Sequence, residues 1–146
     1  MAIAQFNVAR ARWPLDDPRM AEFSDNIARM NALAERSPGF LWRDPGKAEA
    51  LGDPRMTWTL SLWESAEALA AFAFNTAHRR FFARRDLWFP ALEHPAIVLW
   101  QAAPLPRPTL AEAERRLWAL HRDGPSDEAF GWERFEALRA RREAVA

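Results

Sequence analysis

The sequence predicts an α+β fold of the ferredoxin-like type, in which two helices cover one face of a four-stranded antiparallel sheet. Three observations support this fold class. Short stretches in which apolar and polar residues alternate are typical of strands. Two longer stretches carry apolar residues three and four positions apart, which is typical of amphipathic helices. These stretches follow one another in the order β-α-β-β-α-β, and two right-handed crossovers then bring the four strands into one sheet.

The alternation of side chains is clearest between Arg55 and Trp63. Residues 2–12 alternate in the same way, and short apolar stretches predict strands at 40–43 and 96–103. One face of the predicted sheet is mixed in polarity, and its polar residues are Gln5, Asn7, Thr57, Thr59, Ser61 and Gln101. Since the two helices cover only the other face, we expect this mixed face to meet solvent, a second subunit or a partly wet cavity.

Capping residues locate the two helices. Asp17 is a predicted N-cap with Pro18 at the first helical position, and Ser37-Pro38-Gly39 ends this helix. The second helix is expected over residues 65–92, with a serine cap at its start and Pro90 kinking or ending it.

The composition changes after Ala103. We expect one ferredoxin-like domain at residues 1–103, followed at 104–146 by a linker and a helical extension that packs on the same domain. Three prolines between positions 104 and 108 predict an extended linker, and Thr109 caps a helix that runs to about Arg122. Residues 127–135 fit either an extended or a helical conformation, and the arginine-rich end predicts a frayed helix.

Composition excludes several classes of function. The chain has 146 residues, of which 49% are apolar, so it can bury the core of one globular domain. Its 20 basic and 20 acidic residues balance, which argues against nucleic-acid binding. Without cysteine it has no disulfide or thiolate chemistry, and a cytoplasmic location is expected. We expect no membrane association, no phosphate-binding loop and no metal site made of protein ligands.

Six segments of the chain resemble a bacterial family of short proteins, domain of unknown function 3291. They are AQFNVAR, PLDDPRMAEF, NALAERSPGFLWR, LSLWESAEALAAFAF, AHRRFFARRDLWF and RPTLAEAERRL, and together they cover nearly the whole chain. One departure is Phe74, where similar sequences commonly have tyrosine. The family is similar to the dimeric α/β-barrel superfamily, in which two ferredoxin-like subunits pack sheet to sheet. The resemblance therefore implies a homodimer whose barrel interior is the uncovered sheet face.

Relatives in that superfamily include antibiotic-biosynthesis monooxygenases, haem-degrading monooxygenases and muconolactone-isomerase-like enzymes. Cofactor-free members use asparagine, tryptophan and histidine in a cavity to oxidise aromatic anthrones, and haem-degrading members ligate haem iron from the second helix. The resemblance thus implies either no cofactor or haem, and Asn7 with Trp42 or Trp58 as counterparts of the cavity residues.

His78 is the first candidate for chemistry. On a single helix, Phe74, His78, Phe81 and Arg85 fall on one stripe, with Trp88 beside it. A histidine among aromatic and basic residues could act as a general base, ligate haem iron, or serve only as a half-buried structural residue. Arg85 and its basic neighbours could bind a carboxylate or a haem propionate, or form a solvated face.

The polar strand residues are the second candidate. Gln5, Asn7, Thr59 and Gln101 would point into the barrel if Phe6 and Trp58 packed against the two helices. Amide groups in an apolar pocket can hydrogen-bond an oxyanion or a peroxide, although the same residues could merely line a wet subunit interface.

Together these observations predict a monooxygenase-like enzyme that acts on an apolar or aromatic small molecule in the barrel cavity. His78 would remove a proton or ligate haem, Asn7 would hydrogen-bond the oxyanion, and the remaining substrate contacts would come from Gln5, Trp42, Trp58, Phe74, Phe81, Arg85 and Trp88. The alternative is a non-catalytic barrel that binds a small molecule.

Overall fold

The computed structural model of the chain describes residues 1–46, 48–74, 80, 83–90, 96–135 and 137. Within these residues, strands and helices follow one another in the predicted order. The strands are β1 (Ala2–Arg10), β2 (Phe40–Arg43), β3 (Met56–Trp63) and β4 (Ile97–Ala102), and the helices are α1 (Ala21–Glu35), α2 (Ala66–Ala73) and α3 (Leu110–Asp123).

The strands form one antiparallel sheet in the order β2-β3-β1-β4. β1 lies inside the sheet and pairs with β3 from Ile3 opposite Trp63 to Arg10 opposite Met56. Its other edge pairs with β4, where Asn7 lies opposite Ile97. This order, with a helix in each crossover, confirms the predicted ferredoxin-like fold class.

The predicted helix caps are confirmed. They are Asp17, Ser65 and Thr109. Each side-chain oxygen accepts a hydrogen bond from a backbone N–H two or three residues later, at 2.8 to 3.1 Å. Asp17 caps a short 3-10 turn, Pro18–Met20, which leads into α1. The caps satisfy N–H groups that have no partner inside a helix.

The second helix is shorter than predicted, so the expectation of one helix over 65–92 is wrong. α2 ends at Ala73, because Phe74 has already left the helical region at φ −110° and ψ 10°. Further along, Arg85–Leu87 form a separate 3-10 turn. In the sequence, Phe74 is followed by asparagine and threonine, two residues with low helix propensity.

One face of the sheet, the apolar face, is covered by α3. It consists of alternate side chains of three strands: Ala4, Phe6, Trp58, Leu60, Val98 and Trp100. All of them are at most 9% exposed, and Ala113 and Leu120 of α3 pack in the same cluster. Arg116 of α3 also lies over the ring of Trp100, 5.1 Å from its centroid. The cover of this face is thus supplied by the C-terminal extension rather than by α1 and α2.

The opposite face carries a row of hydrogen-bonding side chains and is named the ladder face. It is partly covered by α1 and α2. It carries Ile3, Gln5, Asn7, Thr59, Ser61 and Trp63. Small and aliphatic side chains of the two helices pack there in one cluster with Ile3 and Trp63; they are Ala34, Ala66, Leu69 and Ala70. The polar strand residues therefore face α1 and α2, whereas Phe6 and Trp58 face α3. This is the reverse of the arrangement that the sequence analysis considered.

The chain beyond α3 wraps around the outer edge of β4. Phe130 exchanges two backbone hydrogen bonds with Leu99, at 2.7 and 3.0 Å. Phe130 and Trp132 are buried in the cluster on the ladder face, where Trp132 lies 5.5 Å from Phe74, centroid to centroid. The extension therefore contributes to both faces of the sheet.

Gly39 determines how closely α2 approaches the turn before β2. Its φ is +84°, a conformation that side chains other than glycine rarely adopt. A Cβ atom at this position would also lie 2.5 Å from the Cβ of Ala68 in α2. The turn and the helix can therefore touch only with glycine here.

The homodimer stays a prediction. The mixed face, to which the resemblance assigns the second subunit, lies on the side of α1 and α2, and its residues Asn7 and Thr59 are exposed in the single chain. None of the helices among the described residues is long and apolar enough to cross a membrane.

Candidate functional site

The ladder face brings five polar-tipped side chains of β1 and β3 into one row. Side chains two residues apart share a face of a strand, and antiparallel pairing sets Gln5 opposite Ser61 and Asn7 opposite Thr59. Trp63 continues the row at the end of β3. Within β3 the local sequence supplies its part of the row, because every second residue from Thr59 to Trp63 has a hydrogen-bonding side chain.

These side chains form a continuous chain of hydrogen bonds, the amide–hydroxyl ladder, which consists of Trp63, Ser61, Gln5, Thr59 and Asn7. The Trp63 Nε1–H donates to Ser61 Oγ at 2.9 Å. Gln5 Nε2 donates to both hydroxyl oxygens, at 2.9 Å to Ser61 and 3.0 Å to Thr59. The Thr59 hydroxyl donates to Asn7 Oδ1 at 2.7 Å.

The ladder runs from the core to the surface. Trp63 is 1% exposed, and it packs against Phe40 and Phe72 at centroid distances of 5.4 and 5.3 Å. Gln5 and Ser61 are each 7% exposed, whereas Thr59 and Asn7 are exposed. A rigid buried end thus holds a polar end that a ligand can reach.

The ladder can polarise a ligand but cannot remove a proton from it. None of its five side chains titrates in the range where proteins work. The carboxyl groups whose pKa is clearly lowered, Asp17, Asp53 and Asp123, are held down by hydrogen bonds from neighbouring backbone or arginine groups in turns and at a helix end. A general base for this site must therefore come from outside the ladder.

The structure brings together only part of the predicted site. Gln5 and Asn7 lie in the ladder with Thr59, as expected for residues that alternate along paired strands. Gln101 lies on the same face opposite Ile3 and is exposed, but among the described residues it does not join the ladder.

The two tryptophans proposed to accompany Asn7 lie on the other side of the sheet. Trp58 is 9% exposed and packs against Phe6 on the apolar face. Trp42 packs against the same cluster, with the guanidinium of Arg107 5.9 Å from its ring centroid. The structure therefore does not place them beside Asn7.

Other predicted contacts are dispersed. Phe74 follows α2 and packs on Trp132, and Arg85 opens the later 3-10 turn, so they do not share one helical stripe. Trp88 is 3% exposed in a third cluster with Phe23, and its backbone oxygen accepts from Arg12 N at 2.8 Å. It is a core residue. His78 and Phe81 lie outside the described residues.

Sequence reasoning missed Trp63 and did not include Ser61 among the candidates. The signal was present, since both residues continue the alternation that begins at Thr59. A large aromatic ring at the end of a strand indicates core packing. Its indole N–H is recognised as part of a site only when its acceptor is known.

Two clefts lie elsewhere on the described surface. One, of about 490 Å³, lies between the turn before β2 and α2, and Glu64 and Glu67 are among the residues that line it. The other, of about 370 Å³, lies beside β2. Neither is lined by a ladder residue, and we assign the site from the hydrogen-bonded geometry rather than from cleft size. Among the described residues, no group of three acidic or histidine side chains could hold a metal ion.

A family model described as a domain of unknown function (DUF3291) matches residues 2–144. No curated protein sequence is significantly similar to the chain. Several solved structures share its fold, among them the following three. SnoaB from Streptomyces nogalater, described as a cofactor-independent oxygenase, is 16% identical, with a TM-score of 0.53 over 75% of this chain and 96% of that one.

A conserved protein from Methanosarcina mazei is 12% identical, with a TM-score of 0.56 over 70% of this chain and 94% of that one. A protein of unknown function from Nitrosomonas europaea is 18% identical, with a TM-score of 0.52 over 73% and 96% of the two chains. At these identities the likeness shows the fold alone, a fold that a cofactor-independent oxygenase also has.

Proposed function

The chain belongs to the DUF3291 family, and because that description assigns no reaction, we propose a function from the site itself: cofactor-independent oxidation of an apolar or aromatic small molecule. The observation that carries this proposal is the ladder that ends at the exposed amide of Asn7.

The amide of Asn7 is suited to stabilise negative charge on oxygen. Its Oδ1 already accepts the hydrogen bond of Thr59, so its Nδ2 group is the part that remains to donate to a ligand. Donors fixed in place before the reaction stabilise an oxyanion without reorganising, and removing one such donor typically lowers the rate about 100- to 1000-fold. The ladder supplies this fixation.

The proposed base is His78, which the sequence favoured and which lies outside the described residues. With anthrone as a model substrate, the base would take a proton from the ring carbon opposite the carbonyl. The resulting carbanion, with its charge shared by the carbonyl oxygen near Asn7, would add oxygen to give a peroxide. The peroxide would regain the proton and lose water, so that one anthrone and one oxygen give one anthraquinone and one water.

The resemblance of the fold to SnoaB supports chemistry without a cofactor, because that protein is described as cofactor-independent. Haem ligation by His78 stays a prediction. Titration of the purified protein with haem would reveal it as a sharp absorption band that His78→Ala abolishes.

The test is oxygen uptake and anthraquinone formation from anthrone by wild-type protein and Asn7→Ala. We expect wild type to exceed the uncatalysed rate and Asn7→Ala to lose about 100-fold in kcat. The melting temperature should stay within a degree or so, because Asn7 is exposed and its loss leaves no buried group unsatisfied.

Gln101→Ala is the matched control, since it removes an exposed amide from the same face but outside the ladder, and it should keep wild-type activity. His78→Ala should lose turnover while anthrone binding persists. If anthrone binds to wild type without any oxygen uptake, the protein is a non-catalytic small-molecule-binding protein. If Asn7→Ala and Gln101→Ala are equally active, Asn7 is not the oxyanion donor.

A further inference from the structure

The buried end of the ladder is a contact with a fixed donor and a fixed acceptor. The indole N–H of Trp63 can only donate, and at 1% exposure it has no access to water. Its acceptor is Ser61 Oγ, which therefore faces Trp63 with a lone pair. Leaving a buried N–H without an acceptor costs more than an ordinary hydrogen bond gains, so this contact anchors the ladder.

Gln5 joins the two hydroxyl groups by donating to both of them. Both hydrogens of its Nε2 group are used, one on Ser61 and one on Thr59. Because Thr59 Oγ1 accepts from Gln5, its single hydrogen is available for Asn7, and it is directed to Oδ1 at 2.7 Å. Gln5 thus donates inward to Ser61 and outward to Thr59, and from Gln5 onward the donors point toward the surface, to Thr59 and then to Asn7.

We propose that Thr59 is a positioning residue that fixes the orientation of the Asn7 amide, so that the site presents N–H donors and selects ligands with an oxygen acceptor. This inference rests on the proposed function for its catalytic consequence. The orientation of the Asn7 amide by Thr59 does not depend on the proposed function.

The physical reason lies in the symmetry of a carboxamide. The oxygen and nitrogen ends of an asparagine have nearly the same shape, so an exposed asparagine can present either end by rotating about χ2. The hydroxyl of Thr59 breaks this symmetry, because it donates to the oxygen end. Without it, the oxygen of Asn7 can turn toward a ligand and repel an enolate or peroxide oxygen.

The first test needs no ligand. In ¹⁵N–¹H spectra, the side-chain amide signals of Asn7 are assigned by their loss in Asn7→Ala and followed in Thr59→Val and Thr59→Ser. Valine matches the shape of threonine without the hydroxyl, and serine keeps the hydroxyl. We expect the Asn7 signals to shift in Thr59→Val and to stay near their wild-type positions in Thr59→Ser. Unmoved signals in Thr59→Val would overturn the proposal.

The second test separates the acceptor preference from turnover. Quenching of intrinsic tryptophan fluorescence is measured for anthrone, which has a carbonyl oxygen, and for anthracene, which lacks it. Wild type and Thr59→Ser should prefer anthrone about tenfold, the affinity equivalent of one well-placed hydrogen bond, whereas Asn7→Ala and Thr59→Val should lose the preference. An undiminished preference in Thr59→Val contradicts the positioning role, whether or not the protein turns anthrone over.

If wild type oxidises anthrone, Thr59→Val should lower kcat about tenfold while KM, the melting temperature and the pH profile of kcat change little. A residue with only a structural role would lower the melting temperature instead. Failure of every variant to consume oxygen would sink the proposed reaction, but the amide spectra would still decide the role of Thr59.

Discussion

The two faces of the sheet are built from alternate residues of the same strands, yet they are held in different ways. On the apolar face, Phe6, Trp58 and Trp100 pack against α3 and are nearly excluded from water. On the ladder face, side chains one residue further along the strands are joined by directed hydrogen bonds and become exposed toward Asn7. The first face depends on shape and burial, the second on the placement of donors and acceptors.

This difference separates stability from chemistry within one sheet. Apolar contacts gain free energy in proportion to buried area and tolerate similar shapes. Hydrogen-bonded groups gain little net free energy but specify one orientation, which is what a binding site needs. The apolar face therefore keeps β1 and β3 in register, and the register in turn sets Gln5 opposite Ser61 and Asn7 opposite Thr59.

Placing a charge beneath α3 is the strongest way to break the apolar face. Ala113 is fully buried against the sheet, so Ala113→Glu would bury an unpaired carboxylate or detach the helix. We expect a loss of about 3–5 kcal/mol in the free energy of unfolding, as for other uncompensated buried charges. Urea denaturation measures the loss, and sedimentation velocity shows whether the uncovered face then associates.

Ala111→Glu is the matched control, because Ala111 lies on the exposed side of the same helix. It should change the free energy of unfolding by less than about 0.5 kcal/mol. If both variants were equally stable, α3 would not be the cover of this face. A wild-type dimer that Ala113→Glu dissociates would place the subunit contact at α3 rather than at the sheet.

Removing the hydroxyl at the centre of the ladder should have an intermediate effect. Ser61→Ala leaves the Trp63 indole N–H and one Gln5 N–H without their acceptor in a site that is nearly closed to water. We expect a loss of about 2 kcal/mol, within the range for buried donors left unsatisfied. Chemical denaturation monitored by far-ultraviolet circular dichroism is the measurement.

Thr57→Val serves as the control for Ser61→Ala, since it removes a hydroxyl from the same strand and the same face but outside the ladder. It should be nearly neutral. Equal losses for the two variants would mean that the ladder adds nothing beyond the general cost of changing this strand.

The sequence could predict the fold because its elements are marked locally. Alternation in β3, the caps at Asp17 and Ser65 and the order of elements each depend on near neighbours along the chain. The end of α2 was missed because the apolar pattern continues past Ala73, whereas the backbone leaves the helix at Phe74. A periodic pattern reports burial and does not by itself report where a helix stops.

The site was predicted only in part for a related reason. Alternation shows that Gln5, Asn7 and Thr59 share a face, but it does not show which helices cover that face. The covering helix α3 comes from the C-terminal extension, about 50 residues after β3, and each structural match leaves a quarter or more of this chain outside the shared fold. Trp58 and Trp42, which the resemblance implies as companions of Asn7, pack in one cluster with that helix on the opposite face.

The smallest predicted effect concerns pH and lies on neither face. Hydrogen bonds from the side chain and backbone of Arg19 hold the pKa of Asp17 at about 2, below its ordinary 3.8. Because the folded protein favours the charged form, this stabilisation is complete above the ordinary pKa and is lost as the pH falls from 3.8 toward 2. Asp17→Asn should therefore flatten the acid side of the stability profile, and only slightly, since the pair is exposed.

The measurement is the free energy of unfolding at several values between about pH 2 and pH 5. Asp16→Asn, which removes the same charge one residue away, is the control for the loss of a negative charge in this turn. If Asp17→Asn followed the wild-type profile throughout, the ion pair with Arg19 would not persist in solution. A ladder variant such as Ser61→Ala should not change how the free energy of unfolding depends on pH in this range. If it did, an ionisable group would have to be coupled to the ladder. The uncharged site would then not be independent of the charged turns.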